Sequence, residues 1–234
     1  YMKWYSAVVL HSEFLKTISG YTQPYGFLPS SIYRDNDYLQ VPESRRDSFR
    51  KQVLNGIPLG KGNYLRIFPV WMDYRGHFGT ILPQAQALNY AASLRKDTEC
   101  LGLAVNQLEW IMGKNPFGQS TMYGAGYDFP PLYTPSSGDI VGALPVGIQT
   151  KGDADIPYWP VQNTWTYKEV WIHPVNQWIG VMRGIAGMTG VALPEKMNNT
   201  ILKVKISEKS TPGGNVSITA VVEGAGSHNI SIRS

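Results

Sequence analysis

The stretch that decides the fold lies near the middle of the chain, where residues 81–112 read ILPQAQALNYAASLRKDTECLGLAVNQLEWIM. Apolar residues recur at helical spacing in its first half and again in its last third. Asp97 or Thr98 is suited to cap the second helix, and Gly113 is suited to end it. Because the link between the two helices is short, we expect an antiparallel helical hairpin.

Further helices are predicted on both sides of this hairpin. Residues 2–18 carry apolar side chains at helical spacing, and Gly20 provides a natural end. Pro174 is placed to open a last long helix, which Gly187 or Gly190 ends. The sequence therefore predicts a fold that is mainly α.

Two long loops separate these helices, residues 21–43 and 113–172. Both are rich in proline and aromatic residues and lack a regular period, and loops of this length are usually functional when they are ordered. Helical hairpins that repeat around a ring, with long loops at one end, form a toroid with a concave mouth. We therefore expect the later hairpins of a helical toroid, with aromatic loops around a ligand-binding mouth.

The sequence changes in character after Pro194. Residues 201–206 and 216–222 alternate apolar and polar side chains, as half-buried strands do. We therefore predict two parts, residues 1–194 and residues 195–234, of which the second is a short β-rich segment. Because so small a segment cannot bury enough surface to fold alone, it either packs on the helical part or begins a truncated β-sandwich.

The composition excludes several classes of protein. Of the 234 residues, 43% are hydrophobic and 16% are charged, which excludes a disordered chain. The net charge of +4 is spread along the sequence, so we predict no nucleic-acid partner. Cys100 is the only cysteine and the four histidines are scattered, so we expect no disulfide framework, no metal site and no cofactor. No apolar run approaches the roughly 20 residues that a membrane span needs.

Glu169 is the leading candidate for chemistry because of the residues around it. Its neighbours in sequence are aromatic or imidazole side chains: Trp165, Tyr167, Trp171 and His173. Aromatic rings desolvate a carboxyl group, which raises its pKa and suits it to donate a proton near neutral pH. The position also suits a structural role, in which Glu169 accepts backbone amides at a helix start or pairs with Lys168.

Aromatic faces also stack on sugar rings, which identifies a set of candidate platforms: Tyr158, Trp159, Trp165 and Tyr167. Further binding candidates are Tyr123, Arg75 and His173, the last of which also suits a helix cap. Each aromatic residue is compatible with a place in the core as well. For Trp171, which stands in the run that enters the last helix, a core position is the favoured interpretation.

Three segments resemble glycoside hydrolase family 9. Residues 107–126 are similar to the family's helix end, which closes in a G-x-N-P turn and leads into a Tyr/Val-x-Gly-x-Gly stretch. Residues 142–147 are similar to its G-A-L-x-x-G loop, and residues 167–176 are similar to its N-E-V-x-x-x-x-N-A segment. The three occur in the family's order with similar gaps, and the resemblance covers about residues 79–190.

This resemblance implies an (α/α)6 barrel that hydrolyses a β-linked polysaccharide, such as a glucan, with inversion. It assigns the family's general acid to Glu169, while a second carboxylate, roughly 6.5–9.5 Å away, activates water. The implied partner is a polysaccharide or oligosaccharide, and we expect a bacterial protein that is secreted, periplasmic or at the cell surface. The low cysteine content fits that location but fits a cytosolic protein as well.

The chain departs from the family pattern in three places. Nothing in it matches the early D-A-G-D motif that holds the catalytic aspartates. Residues 131–137 read PLYTPSS where the family has an H-H-R motif, and Lys168 replaces the usual asparagine. We therefore expect a divergent family 9-like protein. This chain would be the C-terminal part of its catalytic domain, without the base and inactive alone.

Two other functions stay open. A polysaccharide lyase with a helical toroid would use Tyr167 and His173 as base and acid in a β-elimination. A non-catalytic glycan-binding protein would bind sugars without turnover.

Overall fold

The computed structural model describes most of the chain: residues 1–70, 76–133, 140–190, 203–210 and 216–223. The last two ranges are described by their backbone alone. Contacts within the chain divide it into two units, Tyr1–Val191 and Ala192–Ser234.

The first unit is mainly helical, as predicted. Its helices are α1 (Met2–Ser19), α2 (Arg46–Leu54), α3 (Phe78–Arg95), α4 (Thr98–Ile111), α5 (Trp165–Lys168) and α6 (Ile172–Thr189). Its strands are β1 (Ser31–Arg34), β2 (Ile57–Gly60), β3 (Asn63–Arg66), β4 (Gln149–Thr150) and β5 (Pro157–Tyr158). The first three strands form an antiparallel sheet in the order β1-β3-β2, and β4 pairs with β5. A ring of hairpins stays a prediction.

The helical hairpin predicted from residues 81–112 is present as α3 and α4. Asp97 caps α4, because its Oδ1 atom accepts the backbone N–H groups of Glu99 and Cys100 at 3.1 Å each. Its other oxygen lies 2.7 Å from Lys16 Nζ of α1. The hydrogen bond from Lys16 lowers the pKa of Asp97 to about 2, against the opposing effect of burial. The cap therefore also fixes α1 to the hairpin.

The two long loops are more regular than the sequence predicts. The stretch 21–43 contains β1, and the stretch 113–172 contains β4, β5 and α5. These elements are two to four residues long, too short to show a period. The partner of β1 is β3, in which Leu65 lies opposite Ile32. Pairing with β3, rather than local preference, therefore accounts for β1.

Helices α3 and α6 pack closely because glycines stand at their interface. A Cβ atom on Gly184 would lie 2.7 Å from Asn89 Nδ2, and one on Gly180 would lie 2.8 Å from Gln86 Nε2. Asn89 Nδ2 donates to the carbonyl of Val181 at 2.8 Å. Gln86 of α3 lies beside Gly180 of α6, and the later residue Asn89 lies beside the later residue Gly184. The two helices therefore run parallel. Their N-terminal ends therefore lie side by side.

The main core of the first unit lies between α3, α4, α6 and the aromatic loops. Its fully buried members include Phe78, Ile81, Leu82, Ala85, Ile111, Leu144, Ile148 and Val181. A second cluster joins α1 to the hairpin through Leu15, Ile18, Leu88 and Ala104. Within the part of the chain that the structure describes, no helix is both long and apolar enough to cross a membrane.

The second unit contains an antiparallel hairpin of two strands, β6 (Lys203–Ser210) and β7 (Val216–Glu223). Its register runs from Lys203 opposite Glu223 to Ser210 opposite Val216. Both strands overlap the alternating segments from which they were predicted.

Candidate active site

The backbone around Glu169 is held by residues 144–147, so two of the family-like segments lie side by side. The N–H of Val146 donates to the carbonyl of Glu169 at 2.9 Å, and the N–H of Trp171 donates to the carbonyl of Leu144 at 3.3 Å. This short antiparallel contact joins segments that are more than twenty residues apart in the chain. It keeps Glu169 in an extended conformation just before α6.

Residues 144–147, which we call the strap, are also anchored to the start of α3. The N–H of Phe78 donates to the carbonyl of Val146 at 3.2 Å. The neighbouring residue, Gly147, has a φ of +107°, and a Cβ atom there would lie 2.7 Å from the ring of Phe78. Only glycine meets both demands, because it has no Cβ and adopts positive φ freely. Gly147 therefore lets the backbone after Val146 pass close to Phe78 at the start of α3.

Glu169 and Trp171 form the central contact of the site. Trp171 Nε1–H donates to Glu169 Oε2 at 2.7 Å, and both side chains are half-buried. A bond of this length lies within the ordinary range of N–H···O hydrogen bonds. The sequence favoured a core position for Trp171. The structure corrects this interpretation, because the side chain is only half-buried and so is partly open to solvent.

Trp171 forms one wall of a groove with a volume of about 610 Å³. The groove lies at the adjoining N-terminal ends of α3 and α6 and at the start of β1. Its other lining residues are Ser30, Ser31, Gly79, Thr80, Pro83, Gln84 and His173. Gln84 Oε1 is buried without a hydrogen-bond partner among the described residues. An indole that lines a groove together with hydroxyl and amide groups is suited to a ligand with both apolar C–H faces and hydroxyls.

Trp165, Tyr158 and Tyr167 lie near this segment but outside the groove's lining. Trp165 is 53% exposed at the start of α5. The rings of Tyr158 and Tyr167 meet edge to face with centroids 5.4 Å apart. Burial, and secondarily the charge of Tyr158, raises the pKa of Tyr167. These three residues remain predicted sugar-stacking platforms, and Trp165 is the most exposed of them.

Trp159 belongs to the core, and so offers little ring surface to a sugar. It is 8% exposed, and its Nε1–H donates to Gln119 Oε1 at 2.8 Å. Lys168 Nζ lies 5.2 Å from the ring centroid and donates to the carbonyl of Val161 at 3.1 Å. Burial lowers the pKa of Lys168. Its ammonium group therefore contacts the Trp159 ring and the Val161 carbonyl, and it does not pair with Glu169.

The remaining predicted binding residues are dispersed. Tyr123 is half-buried and meets Phe129 edge to face, with ring centroids 5.6 Å apart. His173 is exposed and lines the groove beside Trp171. Arg75 lies outside the described residues.

Asp155, which stands in the loop before Glu169, has a structural role. Its carboxylate accepts the backbone N–H groups of Ile67 and Phe68 at 2.8 and 2.9 Å. It also lies 3.6 Å from the fully buried guanidinium of Arg66. Burial raises the pKa of Asp155, although Arg66 and the two amides oppose this effect. Among the described residues, no cluster of three or more His, Cys, Asp or Glu side chains could hold a metal ion.

The groove was missed by sequence reasoning because its walls come from distant parts of the chain. Gln84 and Thr80 belong to α3, whereas Ser30 and Ser31 lie at the start of β1. One local signal was present: Glu169 and Trp171 are two residues apart, and alternate residues of an extended segment share a face.

Neither a family model nor a curated protein matches this sequence. Among solved structures, the chain is similar to the cellulase Cel9M of C. cellulolyticum in complex with cellobiose. The identity is 20% and the TM-score is 0.42, and the match covers 52% of this chain and 31% of the cellulase. Another structure of Cel9M matches at 19% identity and a TM-score of 0.40, covering 51% of this chain and 30% of the other. The matched part thus spans under a third of each cellulase chain.

Proposed function

We propose that this chain is part of a glycoside hydrolase that cleaves a β-linked polysaccharide, with Glu169 as the general acid. The observation that carries the proposal is the hydrogen bond between the Glu169 carboxylate and Trp171, the latter of which lines a groove. The groove offers an aromatic face for the C–H surface of a sugar, and the side chains of Thr80 and Gln84 for its hydroxyls. The resemblance of three segments to glycoside hydrolase family 9 adds support.

In the proposed reaction, protonated Glu169 donates its proton to the glycosidic oxygen as the bond to the anomeric carbon breaks. Inversion requires a second carboxylate on the opposite face of the sugar, roughly 6.5–9.5 Å from the first, to activate water. We assign no residue of this chain to that role. We propose that the base belongs to another part of the protein, and that the protein acts on polysaccharide outside the cytoplasm.

The test compares two substrates in the natural protein that carries this chain. Glu169→Gln removes the acidic proton but keeps an oxygen that accepts the Trp171 indole. We expect hydrolysis of the polysaccharide to fall by about 10²–10⁴-fold, the usual contribution of a general acid. A dinitrophenyl glycoside has a leaving group that needs no protonation, so its hydrolysis should fall far less.

Glu43→Gln serves as the matched control, since Glu43 is an exposed glutamate in a separate 3-10 turn. It should leave both rates unchanged. If Glu169→Gln cleaves the polysaccharide at the rate of the unmodified protein, or loses both substrates equally, Glu169 is not the acid.

The two competing functions receive less support from the same geometry. A lyase would need Tyr167 as a phenolate base, but burial raises the pKa of Tyr167, which makes the phenolate harder to form. Its products would include an unsaturated uronide that absorbs in the near ultraviolet. A non-catalytic glycan-binding protein would use the same groove and would release no product from any substrate.

A further inference from the structure

We propose that Trp171 is both the stacking wall of the groove and the positioning residue of Glu169, so that sugar binding and orientation of the acid are coupled. This inference rests on the proposed function. It is carried by the indole–carboxylate contact and the position of the same indole in the groove.

The backbone explains why these two side chains meet. Glu169 has φ −62° and ψ 127°, and Trp171 has φ −117° and ψ 139°, so both are extended. Side chains two residues apart in an extended segment lie on one face. Val170, between them, pairs with Pro145 in an isolated antiparallel bridge. The strap of residues 144–147 therefore holds Glu169 and Trp171 on a shared face.

The contact assigns different tasks to the two carboxylate oxygens. Oε2 accepts the indole N–H at 2.7 Å, so an acidic proton is placed on Oε1. Without this bond the carboxyl group would rotate about its last torsion, which is broad in glutamate. Trp171 thus fixes the direction in which Glu169 presents its proton.

The same bond fixes the indole ring. Its pyrrole edge is held by Glu169, while the side chain lines the groove together with Thr80, Gln84 and His173. Thr80 Oγ1 donates to the carbonyl of Gly76 at 3.2 Å, which leaves its oxygen free to accept from a ligand. A volume of about 610 Å³ falls within the usual 300–1,000 Å³ of ligand sites. A sugar that stacks on Trp171 would therefore meet a ring whose angle Glu169 has set.

Indole N–H resonances of the full chain test the contact directly. The chain has seven tryptophans, and Trp171→Phe identifies the signal of Trp171 by its loss. In Glu169→Ala we expect this signal to move upfield towards the position of a free indole, while the signal of Trp165 stays in place. An unchanged Trp171 signal in Glu169→Ala overturns the proposal.

A titration with cellohexaose tests the coupling. We expect it to shift the Trp171 signal, and Trp171→Ala to weaken binding by about tenfold or more, as truncation of a buried aromatic anchor does. Trp4→Ala is the matched control, because Trp4 is exposed on α1 and lies outside the groove. Equal binding by Trp171→Ala and the unmodified chain refutes the stacking role.

Activity separates this inference from the proposed function. Trp171→Phe keeps a ring but loses the N–H, so we expect the polysaccharide rate constant kcat to fall at least tenfold while KM changes little. Its pH–rate profile should also shift, which a loss of packing alone would not cause. If only KM rises, the positioning role is wrong and Glu169 remains the proposed acid. If Trp171 responds as expected but nothing is hydrolysed, the contact stands and the proposed function fails.

Discussion

His77 lies just before α3, and its imidazole is fully buried among aromatic rings. The centroids of the Phe27, Phe68 and Trp110 rings lie 5.5, 5.2 and 6.1 Å from the imidazole centroid. Neither ring nitrogen has a hydrogen-bond partner among the described residues. Burial alone lowers the pKa of His77 from 6.5 to about 3. The native fold therefore holds this imidazole in its neutral form.

This shift makes stability depend on pH in a defined direction. Between pH 6.5 and pH 3 the unfolded chain binds a proton at His77 and the folded chain does not, so stability is lost as the pH falls through that range. At pH 5.5 the loss is about 1.4 kcal/mol, against about 0.2 kcal/mol at pH 7. His77 should thus lower the free energy of unfolding by about 1.2 kcal/mol between these two pH values.

Urea denaturation of the unmodified chain and of His77→Phe at pH 7 and pH 5.5 measures this contribution. Phenylalanine carries no proton and suits the aromatic surroundings, so the difference between the two pH values should shrink by about 1.2 kcal/mol in the variant. At pH 7 the variant should be at least as stable as the unmodified chain, because two unpaired buried polar atoms are removed. The reasoning is refuted if the pH dependence is the same in both proteins.

Two further substitutions test how the site is supported. Asp155→Ala should cost about 3–5 kcal/mol in urea denaturation, because it leaves the buried cation of Arg66 without its carboxylate. Asp35→Ala, at an exposed position just after β1, is the control, and an equal loss there would contradict this assignment. Gly147→Ala should cost at least about 1–3 kcal/mol in backbone strain, since φ is +107°, and more from contact with the Phe78 ring. It should also displace the Trp171 indole resonance, and a stable variant with an unmoved resonance would show that the strap does not set the site.

The long helices could be predicted because their signals are local. The apolar spacing of residues 81–112 and the cap at Asp97 lie within the segment that they organise, and both appear in α3 and α4. Pro174 likewise lies in the first turn of α6, and Gly190, in the left-handed conformation, ends it. The short strands could not be predicted in this way. Strand β1, for example, pairs with β3, a segment that the chain brings beside it only on folding.

The sequence alone could not show that Trp159 would be buried while a neighbouring tryptophan would be exposed. Trp159, Trp165 and Trp171 stand in one aromatic stretch, and composition alone treats them alike. The structure separates two of them by their surroundings: Gln119 and Lys168 hold Trp159 in the core, whereas Trp165 is 53% exposed. These partners are themselves positioned by remote contacts. Aromatic content therefore predicts that rings gather in this part of the chain, but not which of them stays accessible.

The position of Trp171 depends on where extended backbone ends and helix begins. Had α6 started three residues earlier, at Glu169, Glu169 and Trp171 would stand about 200° apart around a helix and could not meet. Because α6 starts at Ile172, both residues precede it in extended backbone and share a face. The strap at residues 144–147 secures that boundary, since it takes up backbone groups of Glu169 and Trp171 that a helix would otherwise use. The contact between the proposed acid and its tryptophan is thus set by a loop that touches neither side chain's polar atoms. For that reason a change at Gly147 should affect the indole resonance of Trp171 as surely as a change at Glu169.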